Sequence, residues 1–183
     1  MAASKPELLF QGLIFRVERL MQPGPDGKEH PREIVRHPGG VVILPVLSDG
    51  RVCLLENYRT AVQERLIELP AGTREPGEEP EVTARRELAE ETGYRAGRIE
   101  LLATFCMSPG ILDEKMFFYL ATDLEPGPMA LEGGEDIRVR LATWEEALDL
   151  CRQNRIRDAK TLAGLLFYEV FHRPGEKGQS HFR

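Results

Sequence analysis

Apolar positions along the chain change period several times, and each change marks an element. Residues Phe10–Met21, inside LLFQGLIFRVERLM, alternate loosely between apolar and polar and predict an extended strand. The turn-rich QPGPDGKEH and a second extended run, REIVRH, complete an expected N-terminal β-hairpin. The runs GGVVILPVL and VCLLENY flank SDGR, which predicts another hairpin with Asp49-Gly50 at its tip. RLIELPAG predicts a short strand ended by Pro70 and Gly72. From Pro80 to Thr92 the period becomes helical. Val82, Ala84, Leu88 and Ala89 supply the apolar side, Pro80 suits the first turn, and Gly93 suits the position after the last. IELLATFC, EKMFFYLATDL and IRVRLAT are strand-like. Thr143 with Glu146 makes a capping box that opens WEEALDLCRQN. A last helix, DAKTLAGLLFYEVF, starts after Asp158 and stops before Pro174.

The order is strands, one helix, more strands, then two helices. It predicts an α+β fold, an α/β/α sandwich with a mixed sheet plus an N-terminal β-hairpin subdomain. The boundaries fall at 1–38 for the hairpin segment, 39–173 for the main domain and 174–183 for a polar tail. No repeat or low-complexity segment interrupts this plan.

With 183 residues, 42% hydrophobic and 30% charged, the chain has ordinary globular composition and material for one core. A net charge of −6 argues against sequence-independent nucleic-acid binding, which needs a basic stripe. It leaves room for an anionic small ligand held by a local cluster. Cys53, Cys106 and Cys151 lack CxxC spacing and sit in apolar contexts, which predicts buried thiols rather than structural zinc. Their odd number fits a reducing compartment. No signal-peptide core and no apolar run near the ~20 residues of a membrane span is present, so a soluble cytoplasmic protein is expected.

The helix from Pro80 is the odd element. Glu87 lies one turn from both Glu90 and Glu91, and like charges at such spacing repel by roughly 0.2–0.5 kcal/mol per pair. Three things can offset that: neighbouring arginines, solvent or a bound cation. One reading makes ARRELAEE a solvated face balanced by Arg85 and Arg86. The other makes Glu87, Glu90 and Glu91 oxygen donors to a hard cation such as Mg²⁺, whose shell waters and substrate phosphates would complete.

The flanks decide between them. ELPAG breaks sharply just before TREPGE, and the helix follows at once. Gly72, Glu78, Arg86, Glu87, Leu88, Glu90, Glu91, Gly93 and Tyr94 match the Nudix box at every specified position, with an aromatic at the last where an aliphatic is commoner. The sequence therefore resembles the Nudix hydrolases. That resemblance implies a strand–loop–helix–loop unit and hydrolysis of a nucleoside diphosphate linked to another group, with Mg²⁺ or Mn²⁺ as cofactor. It implies Glu87, Glu91 and Glu90 as metal ligands, with the backbone carbonyl of Ala71. Arg86 would orient the carboxylates together with Glu78, and Gly72 would permit a turn that a Cβ would block.

Outside the box, SPGILDEK places Pro109 sixteen residues after Gly93. Together with ENYRTAV, LIELPAG and GGEDIRV, it resembles the ADP-ribose pyrophosphatase branch over most of the chain. The implied products are AMP and ribose 5-phosphate, and GDP-mannose or another nucleotide sugar is the nearest alternative substrate. Pro109 and Gly110 are the implied substrate contacts in the SPG turn. In LEGGEDIR the candidates for a catalytic acid are Glu135 first, Glu132 second and Asp136, with Arg86 and Glu90 completing the catalytic set. The patch can also be a plain polar turn, and metal-bound water can be activated with no protein base. Arg59 is the candidate for stacking on adenine or forking onto phosphate, and Glu68 for supporting the pocket or the metal loop. Asp113 and Glu114 carry no assigned role, and His37 reads as a turn histidine. The resemblance also implies a homodimer in which the N-terminal segment helps form the substrate pocket. A non-catalytic ADP-ribose sensor is the rival of another class, disfavoured because all three box glutamates are present.

Overall fold

The computed structural model describes residues 5–173. The tail expected over 174–183 lies outside them. The elements are β1 (Glu7–Gln11), β2 (Arg16–Pro23), β3 (Glu29–Arg36), β4 (Gly40–Pro45), β5 (Val52–Arg59), β6 (Glu64–Glu68) and β7 (Ala71–Thr73). Then follow α1 (Pro80–Thr92), β8 (Tyr94–Cys106), β9 (Lys115–Pro126), β10 (Ile137–Ala142), α2 (Trp144–Arg152) and α3 (Ala159–Phe171).

Strand β4 organises the domain. It pairs parallel with β9 and antiparallel with β7, inside a sheet ordered β7-β4-β9-β8. All its residues are buried, as a strand covered on both faces must be. The period-2 alternation sends Val41 and Ile43 into one cluster with Ala84 and Leu88 of α1. Val42 and Leu44 go into the other, with Phe118, Trp144 and Leu165. Helices on both faces of a mixed sheet give the expected α/β/α sandwich. A second sheet, β10-β5-β6, is antiparallel.

Three expectations about the elements need correction. Phe10–Met21 is not one strand: the Gly12 amide turns back to the Phe15 carbonyl at 2.8 Å, so β1, β2 and β3 form a three-stranded meander rather than a hairpin. The meander buries no residue fully. It is tied to the domain where Val35 meets the Ile111 carbonyl and Arg36 reaches Asp113. The turn at Asp49-Gly50 forms as expected, with Gly50 at φ 83°. Its flanking strands, however, join different sheets, because each is buried among other partners. On α1, Val82 is exposed. At about 100° per residue it sits away from Ala84 and Leu88, and the polar Thr83, Glu91 and Thr92 fill the inner face instead.

The helix ends match the sequence signals. Gly93 closes α1 at φ 74° with its amide on the Ala89 carbonyl. The Thr143–Glu146 capping box opens α2, and Asp158 caps α3 by accepting from Thr161. Of the cysteines, Cys53 is buried, Cys151 is intermediate and Cys106 is exposed at the end of β8, against the expectation that all three are buried. Among the described residues no helix is long and apolar enough to cross a membrane.

Candidate active site

The turn between β6 and α1 is pinned one residue at a time. The Leu69 amide donates to Thr161 Oγ1 at 2.8 Å, the Pro70 carbonyl accepts from Ile43 at 2.8 Å, and the Ala71 amide donates to Glu91 Oε2 at 2.9 Å. At Gly72 the backbone passes so close to Glu87 that a Cβ would sit 1.9 Å from its Cδ. Glycine here leaves room for the Glu87 carboxylate and is not demanded by its dihedral angles.

Arg86 gathers the acids of α1 and of the loop before it. Its Nε and Nη2 donate to the two Glu78 oxygens at 3.2 and 3.1 Å. Its Nη1 donates to Glu87 Oε1 at 2.8 Å and Glu90 Oε2 at 3.0 Å. The guanidinium beside Glu78 holds that carboxyl down to about 2, helped by the Glu75 amide and the Thr83 hydroxyl. Arg86 itself is shifted upward by the same contacts.

Glu87 and Glu91 behave in the opposite way. Glu91 is only 3% exposed, and burial pushes it up to about 8 despite the Ala71 amide. Burial also pushes Glu87 up to about 7 against the pull of Arg86, with Glu90 and Glu135 adding repulsion. Two adjacent carboxylates are thus short of positive charge.

Glu87 and Glu91 line a cavity of about 320 Å³ that also touches Arg59, Ala71, Gly72, Arg86, Glu132, Glu135 and Lys160. Within it, the Glu132 amide donates to the Glu135 carboxylate at 2.8 Å. Asp136 is turned away and paired with Arg65. Arg59 forks onto Glu68 at 2.9 and 2.6 Å. A larger cavity of about 450 Å³ lies between the N-terminal meander and the β7 loop and shares Ile14, Thr73 and Glu75 with the first.

Not every predicted residue arrives here. Pro109 and Gly110 do not line the acid cavity, and Gly110 borders a separate groove beside Arg19, Arg32 and Ile111. Glu90 is absent from the lining as well, its carboxylate drawn to Arg86. Asp113 accepts from Arg36 and from the His37 amide, while the Gly39 amide donates to His37 Nδ1, a turn role for that histidine. The cavity also contains residues that the sequence reading did not single out: Ile14, Thr73, Glu75, Met116 and Lys160. Lys160 was visible only as a letter in DAKTLAGLL.

Among the described residues, no three His, Cys, Asp or Glu side chains converge as a ready cation cage. The donor chemistry nevertheless fits a hard cation. It offers carboxylate and carbonyl oxygens without soft ligands, and burial raises two of the carboxylates above the ordinary carboxylate range.

The sandwich, the glycine-to-glutamate contact and the arginine-bound acids define a hydrolase of the Nudix class, acting on pyrophosphate bonds. The NUDIX domain family model matches residues 36–165, and the chain belongs to that family. A methanol dehydrogenase activator from Bacillus methanolicus is 37% identical over 168 residues, covering 91% of this chain and 91% of that protein. An ADP-ribose pyrophosphatase from Bacillus subtilis (strain 168) is 39% identical over 148 residues, covering 80% of each. A solved structure titled as the crystal structure of an ADP compounds hydrolase shares the fold, with a TM-score of 0.78 at 22% identity over 93% of this chain and 96% of that one.

Proposed function

We propose that this protein hydrolyses the pyrophosphate bond of ADP-ribose to AMP and ribose 5-phosphate. The observation that carries the reading is the pair of carboxylates, buried Glu91 and half-buried Glu87, beside cations on the wall of one cavity. A relative at 39% identity that bears the name ADP-ribose pyrophosphatase points the same way.

Glu87, Glu91 and Glu90, with the Ala71 carbonyl, would hold Mg²⁺ or Mn²⁺. Such an ion, when bound, neutralises phosphate charge and makes its water more acidic. Arg86 keeps Glu87 and Glu90 at a fixed spacing through its hydrogen bonds. Arg59 meets the anionic substrate with the edge of its guanidinium not engaged by Glu68. Glu135 takes the proton of the attacking water, with Glu132 as the neighbour that orients it. The water oxygen bonds to one phosphorus, the bridging P–O bond breaks, and the leaving phosphate keeps the electron pair.

The larger cavity, next to the first, is where the nucleoside half would lie. Leu8, Phe10, Leu13 and Ile14 of the meander are exposed, and a homodimer that covers them is part of this reading. A reducing cytoplasm suits three free cysteines.

The test is incubation of the purified protein with Mg²⁺ and, separately, ADP-ribose and GDP-mannose. AMP and ribose 5-phosphate should form from the first at the higher kcat/KM. Faster turnover of GDP-mannose would reassign the substrate. Tight ADP-ribose binding without hydrolysis under either Mg²⁺ or Mn²⁺ would make the protein a sensor.

A further inference from the structure

A separate groove lies on the other face of the β10-β5-β6 sheet. Along β5, Arg59 lines the acid cavity, whereas Glu56, three residues earlier, lines the groove. Along β6, Glu68 holds Arg59, whereas Ile67 lines the groove. Side chains alternate along a strand, so an odd separation sends them to opposite faces. The groove has a volume of about 390 Å³, and Arg65, Arg140, Asn154, Arg155 and Arg157 complete its wall.

The connection between α2 and α3 delivers two of these arginines. In NRIRD, Ile156 is 1% exposed and plugs into the core with Leu150. The backbone around it is fixed. The Arg155 and Ile156 amides both donate to the Leu150 carbonyl, at 2.8 and 3.2 Å, and Asp158 caps α3. Asn154 enters the turn at φ 53°, a left-handed angle that asparagine adopts more readily than most residues. With Ile156 turned inward, its neighbours Arg155 and Arg157 face the groove and share its wall with Arg140 of β10.

The groove reverses the sign of the chain. Its lining holds four guanidiniums and one carboxylate, Glu56, in a protein of net charge −6. Glu56 pairs with Arg140 at 3.1 Å, and two acids outside the lining, Glu64 and Asp136, pair with Arg157 and Arg65. Four cations thus meet three carboxylates. Among the described residues, the Arg155 side chain has no ion-pair or hydrogen-bond partner. Arg140 engages only its Nη1 and Arg157 only its Nη2, although a guanidinium carries five N–H donors. The Arg140–Glu56 and Arg157–Glu64 pairs are also well exposed. Such pairs contribute little and are easily rearranged around an incoming anion.

We propose that this groove binds a small phosphorylated anion, such as inorganic pyrophosphate or a phosphate monoester, through Arg155, Arg157 and Arg140, at a site distinct from the acid cavity. Planar guanidinium donors match phosphate oxygens in pairs. The volume is that of a small-ligand pocket, which favours a small anion over an acidic segment of another protein. Binding there needs neither divalent metal nor turnover.

The test is calorimetric titration of the whole protein with inorganic pyrophosphate at low ionic strength, in EDTA so that no metal bridges the ligand to the acid cavity. Wild type is compared with Arg155→Ala, Arg155→Ala/Arg157→Ala, Arg59→Ala and Arg98→Ala, the last an exposed arginine of β8 outside both cavities. Arg155 has no partner to lose, so Arg155→Ala should keep the wild-type Tm and, without pyrophosphate, the wild-type turnover of ADP-ribose. Pyrophosphate binding should weaken by about tenfold or more in Arg155→Ala, further in the double variant, and by less than about twofold in Arg59→Ala and Arg98→Ala. Absence of binding to wild type overturns the proposal. Loss in Arg59→Ala with retention in Arg155→Ala overturns it by placing the anion in the acid cavity. Equal weakening in Arg98→Ala and Arg155→Ala overturns it by reducing the binding to diffuse charge attraction. Tighter binding of an all-glutamate peptide than of pyrophosphate overturns it in favour of a protein-docking surface.

Discussion

The carboxylate of Glu87 fills the space that a side chain on Gly72 would need: a Cβ on the glycine would fall 1.9 Å from Glu87 Cδ and 2.0 Å from its Oε1. The contact joins the strand end that carries Ala71 to the middle of α1. Gly72 shows no left-handed backbone angle, so alanine is permitted by the main chain. The obstacle is the far end of a flexible side chain, which can swing aside at small cost. Gly72→Ala should therefore fold with a Tm near wild type while displacing the Glu87 carboxylate. Misplacing a catalytic group by about an ångström costs about a hundredfold in rate, so kcat/KM should fall by about that factor. Full activity in a well-folded Gly72→Ala protein would mean that the Glu87 position is not critical.

Burial of Glu87 and Glu91 makes stability depend on pH in an unusual direction. Their ordinary value is 4.5, and in the fold burial pushes them up to about 7 and about 8. The folded state therefore holds protons that the unfolded state has released. Stability from this source is complete below about 4.5 and is lost as pH rises through the two folded values. With divalent metal removed by EDTA, Tm should fall from about pH 5 to about pH 8.5. Glu91→Gln should flatten the fall and exceed wild type at the alkaline end. Added Mg²⁺ should stabilise more at high pH than at low, since a cation competes with those protons. Glu78, held low by Arg86, acts in the other direction and only under acid conditions, outside this window. Scanning calorimetry over the pH series is the check, and a Tm that rises toward alkaline pH contradicts it.

Short-range signals carried most of the fold. Pro80, Gly93, Thr143, Glu146 and Asp158 mark helix ends because a cap is satisfied by residues within one turn. The partners of β4 and β5 were not legible, because strands buried on both faces look alike whichever sheet they join. Gly72, Glu78, Arg86, Glu87, Glu90 and Glu91 could be read as one group because their spacing follows one loop and one helix, although Glu78 and Glu90 do not line the cavity. Lys160 was not legible, because its link to Glu68 spans 92 residues and only folding brings them together. The separation of Glu135 from Asp136 was also hidden, since adjacent residues on one loop diverge according to who pairs with Arg65.

That divergence makes the choice of base testable. Glu135 and Glu132 both line the cavity, whereas Asp136 is bound to Arg65. Removing a general base costs about a hundredfold to ten-thousandfold. Glu135→Gln should lower kcat in that range with KM little changed, and Glu132→Gln should cost less. Asp136→Asn should leave kcat near wild type. A larger loss in Glu132→Gln than in Glu135→Gln would exchange the two roles. Small effects in both would assign water activation to bound metal alone.

The loop between β6 and β7 also depends on a hydroxyl contributed by α3. Thr161 is fully buried, and its Oγ1 accepts from the Leu69 amide while donating to Asp158 Oδ2 at 2.6 Å. Valine has the same shape without the oxygen, so Thr161→Val would leave a buried N–H unpaired two residues before Ala71. Such an orphaned donor costs about 1–3 kcal/mol, a Tm drop of about 2–12 °C for a chain of this size. Thr161→Ser keeps the oxygen and should stay closer to wild type than valine does. Because Leu69, Pro70 and Ala71 are each held by a separate element, the loop should loosen at one point only. The expected signature is faster hydrogen exchange at Leu69 with exchange at Ile43 and in α1 unchanged. Equal protection of Leu69 in wild type and Thr161→Val would remove the hydroxyl from the account of how the loop is held.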